Sequence, residues 1–476
     1  MVDIRKLEVP DTVTLLPGAT QYLSDADATP VEMTAAVKQI VGDLTGRVLV
    51  VGAHPVAWLA QQALTCDMTV VVRGIPDAAQ IATEAGKAAV FCGSLASFSE
   101  RGFDTVVSLT DLSRVLSLEE DPRTWRQVFD DLCSRVREGG RLICGIENDR
   151  GLHRLVGPAN PRSSDGDLDW DLMATWDRSR PRTAEQVAAV AEGQVWSCYP
   201  RWRKTVVVDA GELSPGQRAA RDAAVFIAAA RPLFGPDPLW HVEAAAAADR
   251  TRDIAAGWLL DTATASRTGA WRTARDLSAQ ELSPVDASAR PLMAVVGELL
   301  AANDVPRLRE HLQAWAQWHQ AHPETSADLA LTVIGEGGEF ESIAASGEGP
   351  LDAWAALASL VAIARGRGWR LPWPSPLSDE TIVSILGAMA RLPYRSRDQL
   401  SKLIVVVPSN PDELSALDKH ELIARLERET AQVHTLRSRS NWTELQFVTT
   451  KVQKKVKTTK SRAVRAVRKV LKKALM

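Results

Sequence analysis

Cysteine is scarce in this chain, and long apolar runs are missing from it. The five cysteines, Cys66, Cys92, Cys133, Cys144 and Cys198, are an odd number and form no CxxC pair, which speaks against a disulfide framework or a zinc site. Most of them sit inside apolar stretches such as AVFCGS and RLICGI and read as buried free thiols. No stretch approaches the roughly 20 uninterrupted apolar residues that span a bilayer. The opening residues, MVDIRKLEVPDTV, lack the apolar core of a signal peptide. The expectation is a globular protein of the cytoplasm, and no internal repeat is evident.

What the chain does have is length and an uneven charge distribution. Its 476 residues with 45% hydrophobic content suffice for two or three domains, each burying its own core. Net charge is −3, yet residues 451–476 carry eight Lys and three Arg with no acid, a local +11 that leaves −14 for the remainder. Such a split marks the tail as a separate functional object.

Strand and helix patterns alternate from residue 45 onward. Arg47–Val51, Met68–Val72, Ala88–Cys92 and Thr105–Leu109 are apolar or β-branched runs that read as buried strands, with helices over Pro55–Leu64 and Ala78–Ala85 between them. Trp125, Val128, Phe129, Leu132 and Val136 recur at helical spacing, and Gly139-Gly140 is expected to turn the chain into a fifth strand, Arg141–Ile146. The pattern predicts an α/β fold with a mostly parallel sheet covered on both faces. Val195–Cys198 and Thr205–Val208 read as a closing hairpin. Past residue 210 the strand signal fades, and Ala-rich stretches over 216–231, 239–260, 292–320, 351–366 and 378–391 predict a mostly helical domain. The resulting division is an N-terminal extension (1–44), the α/β domain (45–210), the helical domain (211–405), a linker (406–415) and a C-terminal coiled coil with a basic amphipathic helix (416–476). Trp369 and Trp373, in a proline-rich turn, either pack or line a pocket.

Open parallel sheets bind ligands outside the carboxyl ends of their strands. The first such turn is Gly52-Ala53-His54, where glycine admits a close approach by a cofactor. An acid at the end of the second strand ordinarily takes ribose hydroxyls, but Arg73 stands there. After the third strand, Ser94 and Leu95 offer a single hydroxyl. His54, Asp111 and Glu147 are the candidate acid/base groups, with a structural or solvent-exposed His54 as the alternative. Arg73 is a candidate for a phosphate or carboxylate, with a plain surface charge as the alternative.

Phe103-Asp104, Arg137-Glu138-Gly139-Gly140, Gly145-Ile146-Glu147-Asn148, Gly151-Leu152 and Tyr199-Pro200 together resemble class I S-adenosylmethionine (SAM) dependent methyltransferases. The resemblance is to those that accompany glycosyltransferases in bacterial surface-polysaccharide clusters. It covers roughly residues 45–210 and implies a Rossmann-like domain, SAM held by Gly52, Ala53, Arg73, Ser94 and Leu95, and a glycan or lipid-linked sugar as acceptor. The chain departs from that pattern in its single-glycine first loop and in Arg73. The departures leave two further readings open: a catalytically silent scaffold that binds glycosyltransferases, and a module for another nucleotide.

In the tail, Leu422, Leu426, Val433 and Leu436 follow a broken heptad compatible with coiled-coil pairing. Val452, Val456, Val464, Val467, Val470, Leu471 and Leu475 make one apolar stripe beneath the cationic residues. A helix of this kind suits the headgroup layer of an anionic membrane; a solvated coiled-coil end is the alternative. Nucleic acid is disfavoured, because the cations lack interleaved aromatics and the rest of the chain is acidic. Liposome flotation of the full chain and of a chain ending at residue 440 checks this: the full chain should float with anionic vesicles and the shortened one should not. Equal flotation of both removes the anchor.

Overall fold

The computed structural model describes residues 9–21, 24–25, 31–117, 120–155, 177–230, 239–263, 269–273, 278–343, 352–366, 369, 371–373 and 377–403. The expected linker, coiled coil and basic helix lie outside these residues.

Eleven strands form one sheet: β1 (Val13–Leu15), β2 (Arg47–Val51), β3 (Asp67–Val72), β4 (Ala89–Cys92), β5 (Phe103–Ser108), β6 (Val136–Glu147), β7 (Gln194–Pro200), β8 (Thr205–Asp209), β9 (Gly257–Asp261), β10 (Ala270–Thr273) and β11 (Ala279–Glu281). Their spatial order is β1-β4-β3-β2-β5-β6-β9-β7-β8-β10-β11. The parallel portion β4-β3-β2-β5-β6 is the order 3-2-1-4-5 of a doubly wound sheet, with its direction switching between β2 and β5.

Alternation along β2 shows why the sheet is buried on both faces. Val48 and Val50 join one apolar cluster, Leu49 and Val51 the other, as a strand with covered faces requires. Helix Trp125–Cys133 follows the expected spacing: Trp125, Val128, Phe129 and Leu132 are buried, and Thr124 with Gln127 closes a capping box at its start. Val136 does not belong to that helix but opens β6. The two glycines expected to make a turn instead lie inside β6, where the pairing with β5 shifts register between Phe103 and Thr105. Gly139, at φ +69°, absorbs the extra residues as a bulge does.

Two expected boundaries are corrected. β9, β10 and β11 lie beyond residue 210 and pair into the same sheet, β9 running antiparallel between β6 and β7. The sequence hides β9 because Gly257–Asp261, buried throughout, is a short apolar run inside an alanine-rich stretch, where period alone does not separate strand from helix. At the other end, β1 pairs parallel with β4, so residues 13–15 of the expected N-terminal extension are a strand of the sheet. The segment Val195–Asp209 forms the expected hairpin but does not close the sheet.

Helices Pro215–Ala230, Leu239–Ala247, Leu292–Ala302, Val305–Ala321, Ala353–Gly366, Asp379–Met389 and Arg397–Leu403 come next, with a small sheet of β12 (Arg290–Pro291), β13 (Thr332–Ile334) and β14 (Phe340–Ser342). The expected helix over 292–320 breaks at Asn303, whose left-handed backbone (φ 57°) ends the first segment. Trp369 packs across Gly297. Cys92, Cys144 and Cys198 are buried free thiols, and Cys66 and Cys133 are half-buried. Among the described residues, no helix is long and apolar enough to cross a membrane.

Gly257 lets β9 lie beside Trp202: a Cβ there would collide with the indole ring and stand 2.6 Å from the Ile146 carbonyl. Gly257→Ala should therefore cost about 1–3 kcal/mol. Gly86→Ala, whose Cβ would meet only the Ala82 carbonyl at 3.6 Å, should be near neutral. Urea unfolding of both variants checks this, and equal stability would detach β9 from the sheet.

Candidate functional site

The switch point between β2 and β5 is filled from within the chain. Gly52 leaves β2 at φ +85°, and a Cβ on it would collide with the Thr110 hydroxyl. Two residues on, His54 is 1% exposed and spans the split. Its Nδ1 lies 2.9 Å from the Gly52 carbonyl and its Nε2 is 3.2 Å from the Leu109 N–H. Only one tautomer satisfies both: Nδ1–H donates to Gly52 and Nε2 accepts from Leu109. Both nitrogens are consumed, so His54 is not placed to take a proton from an acceptor. Burial, partly offset by the Gly52 carbonyl, lowers its pKa to about 4.

Arg73 is not a surface charge. It is 2% exposed and forms a bidentate pair with Asp25 at 2.6 and 2.7 Å, while its third nitrogen donates to the Leu116 carbonyl at 3.0 Å. Asp25 comes from an N-terminal strap laid over the ends of β3 and β4. The strap docks through its main chain: Leu16 N–H to the Cys92 carbonyl (2.8 Å), Ser94 N–H to the Pro17 carbonyl (2.9 Å), Thr20 N–H to the Arg73 carbonyl (2.8 Å) and Ile75 N–H to the Thr20 carbonyl (3.0 Å). Gly93 permits this approach, since a Cβ there would stand 2.6 Å from the Leu16 carbonyl oxygen.

The remaining expected cofactor residues are likewise engaged. Ser94 caps the short turn Leu95–Ser97, its hydroxyl accepting from Ala96 N–H at 3.0 Å. Leu95 is a core residue whose carbonyl accepts from Arg135 at 2.7 Å, and Ala53 is 2% exposed.

Asp111 and Glu147 do come together, at the ends of β5 and β6. Asp111 accepts from Ser113 N–H (3.1 Å), Glu147 N–H (3.1 Å) and the Arg180 guanidinium (2.8 Å). Arg180 also donates to the Glu147 carbonyl (3.1 Å) and lies 3.3 Å from Asp149. Glu147 Oε1 accepts from His153 Nε2 and from Arg154, both at 2.8 Å. Burial alone would raise the Glu147 pKa, but the His153 hydrogen bond and the Arg154 charge outweigh it and hold the carboxyl at about 2. A carboxylate this acidic is a steady negative charge rather than a proton acceptor near neutrality. Asn148 donates to the Asp253 and Ala255 carbonyls (3.1 and 2.8 Å) and so ties β6 to the segment before β9.

Sequence reasoning missed Asp25, Arg180 and His153. Each sits in irregular or very short structure, where no periodicity flags it. Their roles come from partners 48, 69 and 6 residues away. Among the described residues no cluster of His, Cys, Asp and Glu is arranged to hold a metal ion.

No protein-family model matches the sequence, and no curated protein matches it. Solved structures similar to it include a TehB-like SAM-dependent methyltransferase from Corynebacterium glutamicum (15% identity over 24% of this chain and 64% of that one, TM-score 0.20). Another is the N-methyltransferase NodS from Bradyrhizobium japonicum in complex with S-adenosyl-L-homocysteine (20% identity, 22% and 54%, TM-score 0.19). A third is a SAM-dependent methyltransferase from Geobacter sulfurreducens, also with S-adenosyl-L-homocysteine (12% identity, 47% and 86%, TM-score 0.22). The chain spans under two thirds of the length of the first two. The doubly wound α/β arrangement stands on the strand order itself.

As arranged in the fold, the residues expected to hold SAM all have partners within the chain. The Gly52 approach is taken by Thr110, the Arg73 fork by Asp25 and the β4 turn by the strap.

The histidine bridge makes stability depend on pH. His54 titrates near 6.5 unfolded and near 4 folded, so its contribution is complete above pH 6.5 and fades as pH falls toward 4. Between about pH 7 and about pH 4.5 the wild type should lose about 2 kcal/mol more than His54→Gln. Urea unfolding at both values checks this; parallel losses in the two proteins would contradict the buried neutral ring.

Proposed function

We propose that this chain is a methyltransferase-fold protein whose ligand crevice has been turned over to its own structure, and that it acts as a scaffold in cell-surface glycan biosynthesis. One observation carries the reading. The groups at the strand ends that would meet a cofactor are bonded to protein instead: His54 to Gly52 and Leu109, Arg73 to Asp25, Ser94 to Pro17 and Ala96. The biological setting rests on the resemblance carried by REGG, GIEN, GL and YP. Under this reading the helical segments and the heptad bind glycosyltransferases or a second copy, and residues 441–476 hold the assembly at the inner, anionic face of the membrane.

A second reading is SAM-dependent methyl transfer to a glycan or lipid-linked sugar. The strand order favours it, because the switch point between β2 and β5 is where such sheets take their ligands. Methyl transfer from a sulfonium depends on positioning more than on a base. The engagement of His54 therefore does not count against it; what favours the scaffold reading is the occupation of the Arg73 fork by Asp25.

Calorimetry and thermal melting of the full chain with SAM and with S-adenosyl-L-homocysteine separate the two. The scaffold reading expects no heat and no rise in Tm at about 1 mM ligand. Saturable binding of either compound overturns it and puts methyl transfer in its place.

A further inference from the structure

Arg73 and its surroundings make a complete anion receptor with an internal occupant. The guanidinium fork grips both oxygens of Asp25, the arrangement arginine uses for carboxylates and phosphates. Arg114 adds a second positive charge 3.6 Å from the same carboxylate. The pair stands at the carboxyl end of β3, just before the ten-residue helix Ile75–Glu84, whose N-cap is Gly74 and has no side-chain cap. Its first N–H groups turn inward: Ile75 N–H donates to the Thr20 carbonyl, residue 76 is a proline, and Ala78 N–H donates to the Gly74 carbonyl. The carboxylate of Asp77 in its first turn is occupied by the Ser24 hydroxyl (2.6 Å) and the Asp25 N–H (2.8 Å), both from the strap.

The occupant arrives on the strap, which begins with a short edge strand and docks through the main-chain hydrogen bonds of residues 16–20. β1 has three residues, pairs on one side only with β4, and leaves Leu15 52% exposed. Tethering gives the Asp25 carboxylate a high effective concentration at Arg73, which a free anion must outcompete.

We propose that Arg73 anchors a masked binding site for a small ligand bearing a carboxylate or phosphate, and that Asp25 fills it as an internal mimic of that group. The inference rests on the closed crevice of the scaffold reading and adds the chemical class the crevice takes once Asp25 withdraws. A structural ion pair would need only one charge opposite Asp25. Here two arginines converge on a single carboxylate beyond the carboxyl end of β3, the side of the sheet on which α/β folds meet ligands.

The test uses full-length Asp25→Ala and Asp25→Asn with acetate, inorganic phosphate and pyrophosphate as probes, read by calorimetry and thermal shift. At least one probe should bind each variant saturably, about tenfold or more tighter than wild type. The acetate and phosphate arms tell which oxyanion is preferred. Response should vanish in the double variant Asp25→Ala/Arg73→Gln. If Asp25→Ala does not fold, Asp25→Asn, which keeps the shape and loses the charge, carries the test. A folded Asp25 variant that responds no better than wild type overturns the proposal, as does an equal response from the double variant. SAM titration of the wild type decides the scaffold reading independently, so the two failures are distinguishable.

Discussion

The protein is organised around a requirement at the middle of its sheet. Where β2 and β5 diverge, the buried Gly52 carbonyl and Leu109 N–H lose the neighbouring strand as a partner, and buried main-chain groups left unpaired are costly. His54 meets both with one ring in one tautomer. The neutral imidazole is therefore part of the sheet's hydrogen bonding, and its low pKa comes from the burial that this role demands. In an open α/β sheet the same split is where a ligand reaches the main chain; here a side chain takes that place.

The strap extends the same logic along the carboxyl edge. The main-chain groups at the ends of β3 and β4 find partners in residues 16–20 through backbone hydrogen bonds before Asp25 reaches Arg73. A buried arginine without a carboxylate would be strongly destabilising, so the strap and Arg73 depend on each other. Glycine at 93 makes the close approach possible, and glycine at 18, with φ +85°, fits between Ser94 and Ser117.

A third network ties the end of β6 to residues later in the chain. Arg180 reaches Asp111, the Glu147 carbonyl and Asp149, while His153 and Arg154 hold Glu147 ionised. Each carboxylate in this network is oriented by at least one arginine. The result is a rigid electrostatic fixture rather than a set of groups poised to exchange protons.

The sequence by itself determined the parallel core. The apolar runs of β2 to β5, the 3.6-residue spacing of Trp125, Val128, Phe129 and Leu132, and the hairpin at 195–209 are local patterns, each legible because burial acts on neighbouring residues with a fixed period. It also drew attention to the strand-end turns, and held open that His54 is structural or solvent-exposed. Tertiary structure alone decided what those turns do. β9 reveals itself as a strand only by pairing between β6 and β7, and Arg73 becomes a buried ion-paired residue only when Asp25, 48 positions earlier, is brought against it. Periodicity reports which face of an element is buried, whereas the partner of a charged or hydrogen-bonding group depends on contacts between residues far apart in the chain, which carry no local pattern.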